Sequence, residues 1–277
     1  MFNLSLSQNF IRNKIVIVGS ILVIFFIITA IFAPYISQVD PRDIKLESVL
    51  KSPSKDNIFG TDELGRDIFS RIIWGTRTSL LAGVVVIIIG GITGVVLGLL
   101  SGYYGGVLDN VIMRVMDATM AFPTILLALL FVTIMGIGLK SAMIAVGLAS
   151  VPRFARLVRG SVLSVKNKEY VEAARALGQN NVNIILKHIL PNCMAPIIIQ
   201  ATLTIGNSIM TLAGLGFLGL GAKPGEPEWG VMLSNARSFL RYAPHVAIFP
   251  GIAIAITVFG FNLLGDGLRD VLDVRQN

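Results

Sequence analysis

Four stretches of this chain, 15–36, 79–101, 195–221 and 244–265, contain no Asp, Glu, Lys or Arg at all. A helix needs about 20 mostly apolar residues to cross the hydrocarbon core of a bilayer, so each stretch is long enough to be a transmembrane helix. A soluble domain of this size has no interior in which to hide four such segments. The composition agrees: 54% of residues are hydrophobic and 14% charged, and the mean hydropathy is +0.76. The net charge of +7 does not point to nucleic acid, because no basic tract or aromatic stacking platform accompanies it. The basic residues fall between apolar runs, as in the loops of a membrane protein.

Two further spans follow less directly. The run from Ala118 to Leu139 is long enough but contains Pro123, which predicts one helix kinked at the proline. The run Ser141 to Val151 alone is too short. It is expected to continue past Pro152, carrying Arg153, Arg156 and Arg159 at helical spacing to the interface, where long cationic side chains can snorkel. Six spans put both termini on one side. Twelve Lys and Arg would then lie on the side of the N-terminus and eleven on the other. The loop 153–190 breaks the tie, with seven basic residues against two acidic, whereas 37–78 has seven of each. This loop is assigned to the cytoplasm. The first run, Ile15 to Ile36, follows Arg12 and Lys14 but is too long for a signal-peptide core and lacks a small-x-small exit, so it reads as an uncleaved anchor.

Chemistry of the chain's own is hard to find. Cys193 is the one cysteine, and with only His188 and His245 for company there is no zinc spacing. GIGLKS at 136–141 and GLGAK at 219–223 are fragments of a phosphate loop with the lysine misplaced. There is no H-E-x-x-H, no G-x-S-x-G and no pair of carboxylates inside a clear span. Thr202, Thr204, Asn207 and Ser208 in one span could line a permeation path or bond neighbouring helices.

Glycine carries a packing signal. Gly90, Gly94 and Gly98 lie four apart and form a smooth face on which another helix can approach closely. Gly214, Gly216, Gly219 and Gly221 close the fifth span and lead into a turn-rich loop with Pro224 and Pro227.

Between two apolar regions stands EYVEAARALGQNNVNIILKHILPN, residues 169–192. Lys168 to Leu177 favours helix, with Glu172 placed to meet Lys168 and Arg175 on one face. Val171, Ala174 and Leu177 form a slim apolar stripe. Gly178 supplies the stop expected at a helix C-terminus. A polar turn follows, then a second apolar pattern of Ile184, Ile185 and Ile189, and Pro191 is expected in the first turn of the next span. Such a helix could lie on lipid headgroups, but a stripe of Val, Ala and Leu flanked by Ala173 and Ala176 suits a narrow protein groove better.

These residues resemble the EAA signature of permease subunits of binding-protein-dependent ABC importers: Glu172-Ala173-Ala174, Gly178 four residues later, then Leu190-Pro191. Where the general pattern has isoleucine two residues before the leucine, this chain has His188, and KHILPN resembles the peptide and nickel branch. FGTDELGRDIFSRIIWGTRTSLLAG at 59–83, MRVMDATMAFPTILLAL at 113–129, FLGLGAKPGEPEWGVML at 217–233 and FNLLGDGLRDVLDVR at 261–275 are similar to the C-type permease of dipeptide, oligopeptide and nickel importers.

The resemblance implies an all-α membrane protein with the type I importer, or MetI-like, fold. Residues 1–78 would form a cytoplasmic tail, the extra first span and an outer loop, and 79–277 a five-helix core with a cytoplasmic coupling helix at about 168–182. It implies coupling roles for Glu172, Ala173, Ala174, Leu177, Gly178, His188 and Pro191, and loss of uptake with retained insertion for Gly178→Asp. The implied partners are a homologous B-type permease, two ATPases that bind the ATP and Mg, and an extracytoplasmic solute-binding protein. This chain would bind no cofactor and catalyse nothing, in a bacterial or archaeal cytoplasmic membrane. Peptide is the expected cargo, with nickel or a nickel chelate the alternative, and an ATP-independent channel or carrier a more distant one. The charged turn GTDELGRD reads either as an interfacial elbow or, with Glu226, Glu228 and Trp229, as a contact for the binding protein.

Overall fold

A computed structural model describes residues 13–273, and the N-terminal tail and the end of the 261–275 motif lie outside them. Among the described residues the chain is helical, with one isolated antiparallel bridge between Thr61 and Asp67. Helix α1, Lys14–Ile36, starts at Asn13, whose side chain accepts from the backbone N–H of Ile15 and Val16. Helix α2, Ile68–Tyr104, has 37 residues, starts at the cap Asp67, and contains the whole 79–101 run. At 1.5 Å per residue it is roughly 55 Å long, well beyond the hydrocarbon thickness. Position 78 lies inside this continuous helix.

The run from Ala118 to Leu139 is not one kinked span. Helix α3, Gly106–Met120, and helix α4, Thr124–Met135, meet at 94° across a break of three residues. Phe122 precedes Pro123, a position pushed out of the helical region, and Pro123 itself is extended (φ −54°, ψ 131°). The chain therefore turns a corner at the proline. Helix α5, Leu139–Val165, runs through Pro152 and carries the three arginines. A short helix α6, Glu169–Ala176, follows.

Helix α7 runs without interruption from Asn181 to Phe217, so Pro191 does not open it. The helix has already run for ten residues at that point. Its turn Ile185–Ile189 is π-helical, with Leu190 N–H bonded to Ile185 C=O. The shift to i→i+5 bonding comes just before the proline, whose ring presses on a carbonyl of the preceding turn in a regular helix. A short α8, Trp229–Ala236, and a long α9, His245–Asp273, complete the chain. Among the described residues five helices are long and apolar enough to cross a membrane, or six with the bent α3–α4 pair counted as one broken span.

The centre of the bundle is the contact of α2 with α5, made backbone to backbone. A Cβ on Gly90 would lie 2.5 Å from Gly147 C=O, one on Gly94 2.5 Å from Phe154 Cβ, and one on Gly98 2.6 Å from Ala155 C=O. Gly102 continues the row against Val162. Outside this core, α1 lies along α9 by the same device, with Gly19 against the backbone of Leu264 and Gly267 against Val16.

Candidate functional site

Helix α6 lies between the end of α5 and the start of α7, and its geometry is built from its own sequence. Glu169 and Glu172 occupy the first turn and Arg175 the last, signs that favour the helix dipole. Leu177 caps the helix and Gly178 adopts φ +76°. Gly178 N–H donates to Arg175 C=O (3.0 Å) and Gln179 N–H to Ala174 C=O (3.2 Å), the paired bonds of a Schellman motif. Nothing stands within 4 Å of the space a Gly178 Cβ would take, so the glycine serves backbone conformation and not close packing. Asn180 then caps α7, its side chain accepting from Asn183 N–H at 2.8 Å.

The apolar stripe does not face outward as one surface. Val171 and Ala174 are buried in a cluster with Val158, Val162, Ile184, Ile185, Ile189 and Cys193, whereas Leu177 is 83% exposed. Three-residue steps on a helix fall short of a full turn, so Leu177 is rotated roughly 120° from Val171. Val171 and Ala174 clamp α6 to its own chain, and the free face carries Glu172, Ala173, Ala176 and Leu177. Glu172 forms no ion pair with Lys168 or Arg175; the ion pairs of the described residues lie elsewhere. Its carboxylate is unengaged on an exposed surface.

His188 stands on the π turn with its Nε2 3.0 Å from Gln179 Oε1. Its backbone carbonyl accepts from Asn192 Nδ2 at 2.7 Å, beside the exposed Pro191. Tyr103 Oη donates to Asn181 Oδ1 (2.7 Å), and Lys166 Nζ to Gly102 C=O (2.9 Å), so the end of α2 holds both flanks of the α6 segment.

Sequence reasoning missed the partners of the arginines. Arg159 makes a bidentate pair with Asp109 of α3, Nε and Nη2 each 2.6 Å from a carboxylate oxygen. Ser101 Oγ also donates to Asp109, and Arg156 pairs with Asp117. Arg153 reaches Thr124 Oγ1 at 3.2 Å. The clue was the eight-residue spacing of Asp109 and Asp117, about two turns along α3, but the sequence does not say that this helix lies along α5.

At the opposite end, GTDELGRD is interior scaffold. Arg66 is 2% exposed and pairs with Asp62 (2.7 Å) and Glu63 (2.8 Å). Arg71, 1% exposed, donates to Pro41 C=O (3.0 Å), Gly225 C=O (3.1 Å) and Glu226 C=O (3.1 Å). Asn235 Nδ2 donates to Glu63 at 2.9 Å, and Trp229 Nε1 to Ile72 C=O at 3.2 Å. Glu228 caps α8, accepting from Gly230 and Val231 N–H at 2.8 Å each. Burial pushes its carboxyl above the usual range, against the pull of these two bonds. The loop after α1 and the loop before α8 thus form one block, which favours the elbow reading of the motif.

In α7, Thr202 bonds Ile198 C=O, Ser208 bonds Thr204 C=O, and Thr204 accepts from Gln200. These polar groups are met within their own helix, and Asn207 is exposed. Among the described residues no group of three or more His, Cys, Asp or Glu could hold a metal.

Residues 94–277 match the family model described as binding-protein-dependent transport system inner membrane component, and residues 7–53 match the N-terminal TM domain of oligopeptide transport permease C. The chain is 48% identical over 265 residues to a dipeptide transport system permease protein of Alkalihalophilus pseudofirmus, covering 96% of this chain and 87% of the relative. It is 48% identical to a glutathione transport system permease protein of Pectobacterium atrosepticum, covering 96% and 89%. In fold it is similar to a solved structure of the MetNI methionine ABC transporter in an inward-facing conformation (TM-score 0.56, 22% identity, 75% of this chain and 96% of that one). It is also similar to an amino acid ABC transporter (TM-score 0.55, 15% identity, 76% and 95%). The chain belongs to the binding-protein-dependent transport system inner membrane components: it is a multi-pass permease subunit of an ATP-driven importer with the MetI-like fold.

Proposed function

We propose that this permease forms half of the translocation path of a peptide importer and that α6 is its coupling helix. The supporting observation is a short helix that is clamped to its own bundle on one side, bare on the other, and fixed at its end by the Gly178 turn and the His188–Gln179 bond. In this reading Glu172, Ala173 and Leu177 meet an ATPase, Ala174 seats the helix on its own chain, and Gly178, His188 and Pro191 set its angle to α7. Two ATPases bind ATP and Mg and do the hydrolysis, and this chain catalyses nothing. Their closure favours one of two arrangements of the bundle only through contacts that differ between them.

The other half of the path is a homologous B-type permease, and an extracytoplasmic binding protein delivers the cargo to the end bearing the Arg71 block. The α6 end and both termini then face the cytoplasm of a bacterial or archaeal cell. The first span with its outer loop is an accessory to the core beginning near 79. Relatives named for dipeptide and glutathione transport favour peptide over nickel. Proteoliposomes holding the four-subunit complex, with binding protein and ATP, are expected to take up labelled dipeptide and not nickel. Nickel uptake without peptide uptake overturns the cargo, and uptake by this chain alone overturns the partnership.

A further inference from the structure

Arg153 sits at a depth where an arginine facing lipid is expensive. Its level is set by α2: a Cβ on Gly94 would lie 2.7 Å from Val151 C=O and 3.1 Å from Ala155 N, the residues on either side of Arg153. Gly94 is four residues from the centre of the uncharged run 79–101, roughly 6 Å along the axis. Yet Arg153 is exposed, and so is Arg156, whose side chain is 51% exposed. Because facing lipid is costly, an exposed arginine at this level either meets a partner chain or lines a water-filled cavity.

The arginines differ in what meets them. Arg159 and Arg156 are each neutralised by an aspartate of α3. Arg153, the deepest of the three, bonds only the hydroxyl of Thr124, at the corner where the broken span restarts. No carboxylate among the described residues pairs with it. A planar guanidinium with donors to spare is suited to a carboxylate.

We infer that Arg153 is a transit site in the permeation path that holds the carboxylate of the peptide as it passes, with Thr124 orienting the guanidinium. The inference rests on the peptide reading above. A short peptide with free ends presents one carboxylate and no side chain common to all members of its class, so one cation serves them all. The two neutral ion pairs nearer α6 leave the way out without a second trap.

The test uses the reconstituted complex with binding protein, labelled dipeptide and ATP. Arg153→Gln is expected to lower uptake about tenfold, the loss of one charged hydrogen bond, while binding-protein-stimulated ATP hydrolysis and the yield of assembled complex hold. Arg153→Lys is expected to restore most of the uptake. In Arg153→Cys, a cationic methanethiosulfonate added from the α6 side is expected to raise uptake and an anionic one to abolish it, with the wild-type complex, whose Cys193 is buried, as control. Undiminished uptake by Arg153→Gln overturns the inference. So does a fall in assembly, which would give the carboxylate to the partner permease, or equal effects of the two reagents. Absence of peptide uptake in the wild type overturns the peptide reading first, a distinct result.

Discussion

The imidazole Nε2 of His188 lies 3.0 Å from the side-chain oxygen of Gln179, joining the π turn of α7 to the residue just past the end of α6. With that oxygen as acceptor, the proton of a neutral ring is on Nε2. The bond spans a turn already fixed by Gly178, so it is a second link between α6 and α7. His188→Ala and Gln179→Ala are each expected to reduce uptake per ATP hydrolysed several-fold, without loss of membrane insertion. The double variant should be no worse than either single, because both remove the same bond. Additive losses would show that the two residues act separately.

Gly178 needs a positive φ but no empty space. Gly178→Val should therefore cost about 1–2 kcal/mol in the local turn and abolish coupled uptake. Gly178→Asn, which tolerates the left-handed region, should keep much of it, whereas Gly178→Asp, which adds a negative charge beside the free face of α6, should lose uptake as the valine does. Uptake alongside ATPase assays on all three checks this order, and equal activity of Val and Asn variants would refute it.

The glycine row on α2 makes the opposite demand. A Gly94 Cβ has no room beside Phe154 Cβ at 2.5 Å and Val151 C=O at 2.7 Å. Gly94→Ala is expected to cost about 1–3 kcal/mol by forcing α2 and α5 apart, read as a lower melting midpoint in detergent. Gly160→Ala, on the facing helix but in open space, should be neutral or stabilising by up to about 1 kcal/mol.

The Asp109–Arg159 pair ties α3 to α5 next to a two-glycine joint, Gly105 and Gly106, both at positive φ and free of neighbours. Asp109→Asn should cost about 1.5–3 kcal/mol, the value of a hydrogen bond to a charged group, and the exchange Asp109→Arg with Arg159→Asp should recover part of it. Thermal unfolding of the single and exchanged variants measures the coupling.

Glu228 offers a pH signature. Its carboxyl is raised by burial, so the folded state holds the proton over a range where the unfolded chain has lost it. Stability contributed by this group is full below the ordinary value of 4.5 and is lost as pH rises through the raised one. The fall in melting midpoint from about pH 4.5 upward is expected to be shallower in Glu228→Gln than in the wild type. Identical slopes would remove Glu228 as a source.

The long apolar runs were legible because twenty uncharged residues permit few structures, and the passage of α5 through Pro152 was legible from arginines recurring at helical spacing. The corner at Pro123 was not, since a proline in a span permits either a kink or a break, and packing against α5 and α7 decides. The division of labour within the stripe of Val171, Ala174 and Leu177 was also hidden. Periodicity says that three residues are apolar and close together, but not whether their partner is the same chain. Asp109 and Asp117 went unread for a related reason: an acidic residue on an amphipathic helix looks solvent-facing until a second helix presents arginines to it.

Arg71 ties the loop after α1 to the loop before α8 by donating to carbonyls on both, at 3.0 to 3.1 Å. The surface at this end of the bundle is therefore held in place by the chain's own bonds. A partner that docked there would find both loops already held together and would spend less binding energy on ordering them. The same bonds have a mechanical side: Arg71 stands on α2, so a rotation of α2 would carry both loops with it.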